Sequence, residues 1–398
     1  MSRIEQLIAE LCPDGVEFKE LGEIGEFIRG NGLQKKDFTE SGLGCIHYGQ
    51  IFTYYGRTAV KTKSFVAPSF AKKLRKAQKG NLVIATTSEN VEDVCKAVVW
   101  LGEEEIAISG DAYIYKHNQS PKYIAYFYQT QMFFNKKLKY ATGTKVIRVS
   151  GDNMAKIKIP IPPLPIQQEI VRILDTFTDL DAELQAELEA RKKQYEHYRN
   201  QLLNFEGKEV EWKMLGDLTD FMNGKGHEKE IVENGKYIVV NSKFISTDGT
   251  IKKYSNNQLS PIYIDDILIV MSDLPNGKAL AKCFYVEKDN VYTLNQRIGR
   301  LSVNYKYEVT PKYIFFILNR NKQLLKYDNG SDQTNLRKNQ ILEIKIPIPP
   351  LAEQERIVSI LDKFEALVND ELPAEIAARR KQYEHYREKL LTFEPLVS

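Results

Sequence analysis

Apolar residues recur three and four positions apart along two segments of the chain. In the first segment they fall at Ile170, Ile173, Phe177, Leu180 and Leu184. In the second they fall at Ile357, Ile360, Phe364 and Leu367. This is the spacing of a helix that packs along another helix. The first segment predicts a helix over about residues 166–203, on the order of 57 Å long at 1.5 Å per residue.

These two segments belong to an internal duplication. Residues 157–177 and 344–364 share 15 identities in 21 positions, and residues 191–206 and 379–394 share 12 in 16. The offset is 187 residues in the first block and 188 in the second, so the later copy carries one extra residue. A period this long indicates two domain-sized units. Two long helices of nearly the same sequence are expected to pack on each other, antiparallel, although each helix capping only its own domain is the simpler alternative.

Prolines mark where each helix begins and where one is interrupted. Both copies enter through IPIPPL, which continues neither a helix nor a central strand and therefore predicts an extended segment. Pro373 lies inside the second helical pattern, close to the extra residue. Because proline removes a helix hydrogen bond, we expect a kink or break there.

The duplication extends beyond the helices. The segment VEFKELGEIGEF at Val16–Phe27 returns as VEWKMLGDLTDF at Val210–Phe221, and GNGLQK at Gly30–Lys35 returns as GKGHEK at Gly224–Lys229. Between these segments, short apolar runs separated by Gly- and Asn-rich turns predict strands, so the fold class is α+β. The predicted organisation is an N-terminal helix at 1–14, globular domains at 15–160 and 207–347, and long helices at 161–206 and 348–394.

Composition gives few indications of function. A net charge of +3 means that any nucleic-acid surface must be local. Residues 1–11 lack the basic start and apolar middle of a signal peptide, and no apolar run reaches the length of a membrane span. The four cysteines are scattered without a CxxC pair, which favours reduced thiols and a cytoplasmic protein.

The sequence lacks a complete form of each catalytic motif considered below. Each Gly-Lys pair lacks the Ser or Thr of a phosphate-binding loop, and GNGLQK lacks the third glycine of a dinucleotide fingerprint. The five histidines form no metal-ligand pattern, so no metal site is predicted. The chain is therefore expected to be non-catalytic. A small nuclease hidden in the variable loops remains an alternative.

Recognition is the remaining class of function. Asn and Gln can pair with adenine, Arg and Lys with guanine, and Lys and Tyr can contact phosphates. Loop position and side-chain chemistry select as DNA-binding candidates Lys35, Lys36, Tyr48, Gln50, Tyr54, Thr87, Ser88, Asn90, Lys225, His227, Lys229, Asn241, Lys243, Asn276, Lys278, Gln296 and Arg297. Taken alone, each such loop is also compatible with an ordinary solvated turn.

The whole arrangement resembles the DNA specificity subunit of type I restriction–modification systems. The resemblance rests on the duplicated IPIPPL-to-ILDxF block, the RKxQYEHYR block, the two VExKxLG openings and LNQRIGRL at Leu294–Leu301, and the QYEHYR blocks look closest to the type IC branch. It implies two target-recognition domains held apart by an antiparallel, coiled-coil pair of long helices with pseudo-twofold symmetry. Each domain would read one half of a split target, and the helices would set the unspecified spacer.

The resemblance also implies partners. Two modification (methyltransferase) subunits and the restriction (helicase–nuclease) subunits would supply S-adenosylmethionine, ATP and Mg chemistry, so no cofactor is expected on this chain. Exposed residues of the repeated QYEHYR would dock the methyltransferase subunits. The docking candidates are Gln194, Glu196, Arg199, Gln382, Glu384 and Arg387. The main alternative is an interaction scaffold that carries two ligand-binding domains on a coiled coil and does not touch DNA.

Overall fold

The computed structural model describes residues 2–275, 277–328 and 330–396. Its α-helices are α1 (Arg3–Leu11), α2 (Leu21–Ile24), α3 (Tyr48–Thr53), α4 (Pro68–Ala71), α5 (Pro121–Phe127), α6 (Gln131–Leu138), α7 (Gly151–Ala155), α8 (Leu164–Leu202), α9 (Leu215–Leu218), α10 (Ser242–Ser246), α11 (Pro311–Leu318), α12 (Lys322–Leu325), α13 (Lys338–Leu342), α14 (Leu351–Ala366) and α15 (Leu372–Leu390). A 3₁₀ turn covers Lys35–Asp37, and a π-helical turn covers Leu367–Glu371.

The strands are short. They are β1 (Phe18–Glu20), β2 (Gly25–Arg29), β3 (Phe38–Thr39), β4 (Leu43–Ile46), β5 (Thr58–Ala59), β6 (Ser64–Val66), β7 (Lys76–Ala77), β8 (Leu82–Ala85), β9 (Thr87–Ser88), β10 (Ala97–Trp100), β11 (Ile106–Ile108), β12 (Ala112–His117), β13 (Ile147–Arg148), β14 (Lys158–Pro160), β15 (Glu211–Met214), β16 (Thr219–Asn223), β17 (Ile231–Val232), β18 (Tyr237–Val240), β19 (Tyr254–Ser255), β20 (Ile267–Val270), β21 (Ser272–Asp273), β22 (Cys283–Tyr285), β23 (Tyr292–Leu294), β24 (Ile298–Val303), β25 (Thr334–Asn335) and β26 (Lys345–Ile348). The predicted α+β class is confirmed.

The chain forms two compact units that each take half of both long helical segments. Unit 1 comprises Met1–Gln185 and Glu375–Ser398, and unit 2 comprises Ala186–Ala374. The units therefore do not follow the predicted division into separate helices and domains. In each unit, the helices belong to the hydrophobic core of the globular part.

Unit 1 contains two five-stranded sheets, ordered β2-β12-β8-β10-β5 and β3-β6-β4-β11-β7. The pairs β1-β14 and β9-β13 complete its strands. Its largest core cluster joins Leu82, Tyr123 and Phe127 of the globular part to Ile170 and Leu174 of α8. Of the predicted apolar face of α8, Ile170 is buried in this cluster and Ile173 packs against it, so the start of that face contacts its own domain.

Unit 2 repeats this topology with shorter sheets. Their orders are β16-β24-β20-β22 and β17-β19-β18-β23, with the pairs β15-β26 and β21-β25. The parallel pair β4–β11 of unit 1 has its counterpart in the parallel pair β18–β23. Strands β5 and β7, at the sheet edges of unit 1, and helix α4 have no counterpart among the described residues of unit 2. The duplication read from the sequence is therefore a duplication of fold, with additional elements in unit 1 on both sides of β6.

Each unit contains an antiparallel contact between the two long helical segments. In unit 1 the Phe177 ring stacks on Tyr386, with ring centroids 5.4 Å apart, and Arg380 pairs with Asp181 at 2.7 Å. In unit 2 the Tyr198 ring stacks on Phe364 at 5.6 Å. Phe177 and Phe364 occupy the same position of the repeat, as do Tyr198 and Tyr386. The predicted antiparallel pairing is confirmed within each unit.

The second long helix does not break at the extra residue. Helix α14, the π-helical turn and α15 follow one another without a gap, and Pro373 is the second residue of α15. A π-helical turn accommodates one additional residue in an α-helix. Of the predicted kink or break, the break is wrong, because the turn at Leu367–Glu371 takes up the extra residue, and the kink stays a prediction.

Candidate DNA interface

In unit 1, several segments converge on the turn between β11 and β12, residues 109–111. The backbone N–H of Gly30 donates to Ala112 O at 2.9 Å, and Thr86 N–H donates to Asp111 O at 3.1 Å. On the other side, Ser109 N–H donates to Ile46 O at 3.2 Å. The turn is therefore fixed by the loop after β2, the end of β4 and the end of β8.

Unit 2 builds the same framework around residues 295–297, between β23 and β24. Gly224 N–H donates to Ile298 O at 3.1 Å, Asn295 N–H donates to Val240 O at 3.1 Å, and Met271 N–H donates to Arg297 O at 3.0 Å. These bonds match those of unit 1 one for one. The two turns, 109–111 and 295–297, are called the recognition turns below.

A glycine sets the approach of the chain to each recognition turn. A Cβ atom at Gly30 would lie 2.2 Å from Ser109 O, and one at Gly224 would lie 2.1 Å from Asn295 O. No side chain fits at such distances, so the glycines shared by GNGLQK and GKGHEK are required by backbone packing. A phosphate-binding role is not needed to explain them.

Seven of the predicted DNA-binding side chains are exposed and form no hydrogen bond or ion pair within the described part of the chain. They are Lys35, Lys36, Lys225, Lys229, Lys243, Lys278 and Arg297. Arg297 lies on the recognition turn itself, with a left-handed backbone at φ +68°. Tyr54 is also exposed, and the Lys63 ammonium lies 4.6 Å from its ring centroid.

Two of the predicted base readers, His227 and Gln50, are buried and bonded within the protein, and Thr87 is buried as well. His227 has no exposed surface, and its ring nitrogens bond Lys225 O at 2.8 Å and Thr293 Oγ1 at 2.9 Å. Gln50 is 8% exposed; its Nε2 donates to Ser64 Oγ and its Oε1 accepts from His47 N–H. In this conformation neither side chain can reach a base, because both hold loops together.

Other candidates have local structural partners. Asn241 caps α10 by accepting from Phe244 N–H at 2.9 Å, and Asn90 bonds Asp93 through both its amide nitrogen and its amide oxygen. Gln296 donates from Nε2 to Glu228 Oε1. The remaining candidates are Thr87, which is buried, and Tyr48 and Ser88, which are half-buried. Asn276 lies outside the described residues.

His47 fixes the start of α3 in its neutral form. Its Nδ1 accepts from Gly49 N–H at 3.2 Å. Burial lowers the pKa of His47, and the charge of Lys35 lowers it further. The charge of Asp111 opposes this shift of the pKa without reversing it.

Sequence reasoning missed several polar residues at this edge of unit 1. A cavity of about 380 Å³ is lined by Arg29, Thr86, Thr87, Asp111 and Arg148, among others. The run AKKLRKAQK at residues 71–79 places further cations nearby. Its density of Lys and Arg was a usable signal, whereas the position of Arg148 depends on the pairing of β13 with β9.

The docking candidates divide by exposure. Glu196, Gln382 and Glu384 are exposed on the helices. Gln194 is half-buried and accepts from Arg191 at 2.8 Å. The two arginines are engaged internally, since Arg199 donates to the carbonyls of Phe316 and Asn319, and Arg387 pairs with Glu388 at 2.9 Å. For these two residues a free docking role is not supported.

No group of three or more His, Cys, Asp or Glu side chains in the described ranges is placed to hold a metal ion. Within the same ranges, no helix is long and apolar enough to cross a bilayer.

Comparison with known proteins places these features in a family. The family model of the type I restriction modification DNA specificity domain matches residues 13–190 and again 207–378. The chain is 36% identical over 270 residues to the EcoR124I/EcoR124II specificity subunit of Escherichia coli, an alignment that covers 62% of this chain and 65% of that protein. A putative type I restriction enzyme specificity subunit of Haemophilus influenzae is 34% identical, with 67% of this chain and 71% of that protein covered.

A solved structure supports the fold. The type I restriction–modification S subunit from M. genitalium superposes with a TM-score of 0.54 at 15% identity, covering 95% of this chain and 96% of that one. The aligned part of the E. coli relative is slightly under two thirds of its length. The closer assignment to the type IC branch stays a prediction. The family model covers both copies of the duplication, and the chain therefore belongs to the type I restriction–modification DNA specificity family.

Proposed function

We propose that this chain is the sequence-specific DNA-recognition subunit of a type I restriction–modification complex. One observation carries the proposal: the two units hold their recognition turns with the same backbone bonds but present different side chains on them. The turn of unit 1 carries a buried Ser109, Gly110 and a half-buried Asp111, whereas the turn of unit 2 carries a half-buried Asn295 and the exposed Gln296 and Arg297. A constant framework with a different tip is suited to reading two different half-sites.

Arg297 is the residue best placed to read a base in unit 2. It is exposed, and no ion pair within the described residues occupies its guanidinium. A guanidinium can pair with both major-groove acceptors of guanine, a contact worth about 1–3 kcal/mol of discrimination. Replacement by alanine therefore relaxes one position of one half-site.

The long helices have two roles in this proposal. Two readers must face the same side of the duplex, which favours half-sites about one helical turn, roughly 34 Å, apart. A stiff helical pair fixes that spacing, and its exposed Glu196, Gln382 and Glu384 are candidates to dock two methyltransferase subunits. The chain itself is non-catalytic and holds no cofactor. S-adenosylmethionine, ATP and Mg belong to the partner subunits, and the complex acts in the cytoplasm.

The methylome tests this function. The chain is expressed with the methyltransferase subunit of its own system in a methylation-free host, and modified adenines are mapped. A bipartite motif with a fixed gap is expected. An unmodified genome, with both proteins folded and in complex, would contradict the proposal and favour the scaffold.

A domain replacement shows which unit reads which half-site. Residues 15–156 are exchanged for the same region of a relative, and only one half of the motif is expected to change. A change in both halves would mean that the two units do not read independently. Arg297→Ala, made in the same background, should relax the other half alone.

A further inference from the structure

Five exposed cations of unit 1 lie on two segments, residues 35–36 and residues 72–75. They are Lys35, Lys36, Lys72, Lys73 and Arg75, called the basic cluster below. Lys72, Lys73 and Arg75 follow α4, and the buried Leu74 between them packs with Leu33. Burial of Leu74 leaves its three basic neighbours directed outward.

The basic residues at positions 72–79 differ in whether they form ion pairs. Lys76 pairs with Glu105, and Lys79 pairs with Glu103. No side chain of the basic cluster forms an ion pair with any residue in the described ranges. Within residues 72–79, the cations without an ion pair to a described residue therefore come first, and the cations paired with glutamates follow.

Asn31 fixes the free part of the run against the loop after β2. Its Nδ2 donates to Lys73 O at 2.9 Å, and its Oδ1 accepts from Arg75 N–H at 2.7 Å. The backbone N–H of Asn31 donates to Ile108 O at 3.4 Å, immediately before the recognition turn. One side-chain amide therefore holds residues 73–75 in register with the turn.

Two arginines continue this connection. Arg75 donates from a terminal guanidinium nitrogen to Arg29 O at 2.8 Å, and Arg29 Nε donates to Gly110 O at 2.9 Å. The other N–H groups of the exposed Arg75 guanidinium donate to no residue in the described ranges. The cluster and the turn are consequently parts of one bonded surface.

We infer that the basic cluster holds the phosphate backbone of the duplex whose bases the recognition turn of unit 1 reads. Unpaired cations on a rigid edge suit phosphates, which fix the register of a protein on DNA without carrying sequence information. The inference rests on the proposed function and deepens it. Helix α4 and β7, which flank Lys72, Lys73 and Arg75, have no equivalent in the part of unit 2 that the structure describes. The salt-dependent phosphate contacts of Lys72, Lys73 and Arg75 are therefore a property of unit 1.

The test measures how affinity depends on salt. The full chain, in complex with its methyltransferase subunit, is titrated with a duplex that carries the mapped motif and with a random-sequence duplex, at several salt concentrations. Log affinity falls linearly with log salt concentration, and each phosphate contact adds about 0.9 to the magnitude of that slope. The variant Lys72→Gln/Lys73→Gln/Arg75→Gln should lower that slope by about 2–3 on both duplexes, and the methylated motif should stay the same.

Matched variants separate position from charge. Lys73→Gln should lower the slope by about 1, whereas Lys79→Gln, which removes the same charge from the same run, should leave it unchanged. Asn31→Ala keeps all five cations but frees the loop, and it should weaken binding to both duplexes. Thermal unfolding of each variant identifies any loss of folding.

The outcomes are distinguishable. A triple variant with the wild-type slope, or equal effects of Lys73→Gln and Lys79→Gln, would overturn the basic cluster while the methylome still supports the proposed function. An altered motif in the triple variant would make the cluster a base reader and overturn the phosphate role. A wild-type complex without salt-dependent affinity for either duplex would overturn both.

Discussion

The side-chain Nε2 of Gln167 donates to the carbonyl of Pro162 at 2.8 Å, and the residue has no exposed surface. Its Oε1 accepts from Ser120 N–H at 3.0 Å, just before α5. Gln354 repeats the arrangement in unit 2, with Pro349 O at 2.8 Å and Thr310 N–H at 2.9 Å. One buried amide thus ties the proline-rich entry of each long helix to its globular part.

Replacing Gln167 by alanine should lower the free energy of unfolding by about 1–3 kcal/mol. The buried Pro162 carbonyl and Ser120 N–H would lose their partner, and unsatisfied buried groups cost about that much. Urea unfolding measures the change. The neighbouring Gln168 is exposed and forms no hydrogen bond to a described residue, so Gln168→Ala should stay within about 0.5 kcal/mol of wild type. Equal losses for both variants would contradict the role of the amide.

Gly30→Ala should disturb the recognition turn of unit 1. The new methyl group would lie 2.2 Å from Ser109 O, so backbone must move, at a cost of about 1–3 kcal/mol. Methylome mapping should show one half-site weakened or lost and the other half-site retained. Gly56→Ala is the control, because nothing lies within 4 Å of its Cβ position. An unchanged motif in Gly30→Ala would show that the turn does not contribute to recognition.

Deleting one residue should convert the π-helical turn to regular α-helix without a loss of stability. Deleting Asp370 in a Pro373→Ala background restores the residue count of the first copy, so Leu367–Glu371 can close as regular α-helix. Stability should be equal to or slightly above that of Pro373→Ala alone, because π-helical turns are rare and proline is unfavourable in a helix. Thermal unfolding compares the two variants. A marked loss in the deletion would mean that the extra residue sets contacts downstream.

Stability should fall as the pH falls from about 6.5 to about 4, in part because of His117. Burial lowers the pKa of His117 to about 4, against about 6.5 for an unperturbed histidine. Within that window the unfolded chain binds a proton that the folded chain does not, so acid favours unfolding. The pKa of His47 is also lowered by burial and acts in the same direction.

His117→Gln should make this pH dependence shallower without abolishing it. Urea unfolding at about pH 7 and about pH 4.5 gives the comparison. The exposed His197 serves as the control, and His197→Gln should keep the wild-type slope. An unchanged slope in His117→Gln would assign the acid sensitivity to other groups.

The strongest regularities of the sequence were enough to predict the architecture. The 3.6-residue spacing predicted α8 to within two residues at its start and one at its end, because a long periodic segment has no competing structure. The repeat predicted two equivalent units. The π-helical turn was not predicted, since an extra residue near Pro373 is compatible with either a break or a local widening of the helix.

The candidate site was only partly predictable, because burial depends on distant residues. His227 is buried against Thr293, and Gln50 bonds Ser64, yet both stand in loops rich in exposed polar residues. The role of Arg75 depends on Asn31, 44 positions earlier, which no local pattern reveals. Exposed lysines were easier to identify, since a lysine is rarely buried without a partner.

Unit 1 is built from two separate stretches of the chain, and this affects the order in which the protein can fold during synthesis. Unit 1 needs Glu375–Ser398, whereas unit 2 is one continuous segment, Ala186–Ala374. At about 5–20 residues per second, the ribosome takes roughly 10–40 s to make the intervening stretch. For that time the core of unit 1, which includes Ile170, lacks Leu391 and the C-terminal helix. Of the two units, the one that begins first in this sequence is therefore the last to be completed, and its apolar surface is exposed to chaperones and proteases until its C-terminal segment has been made.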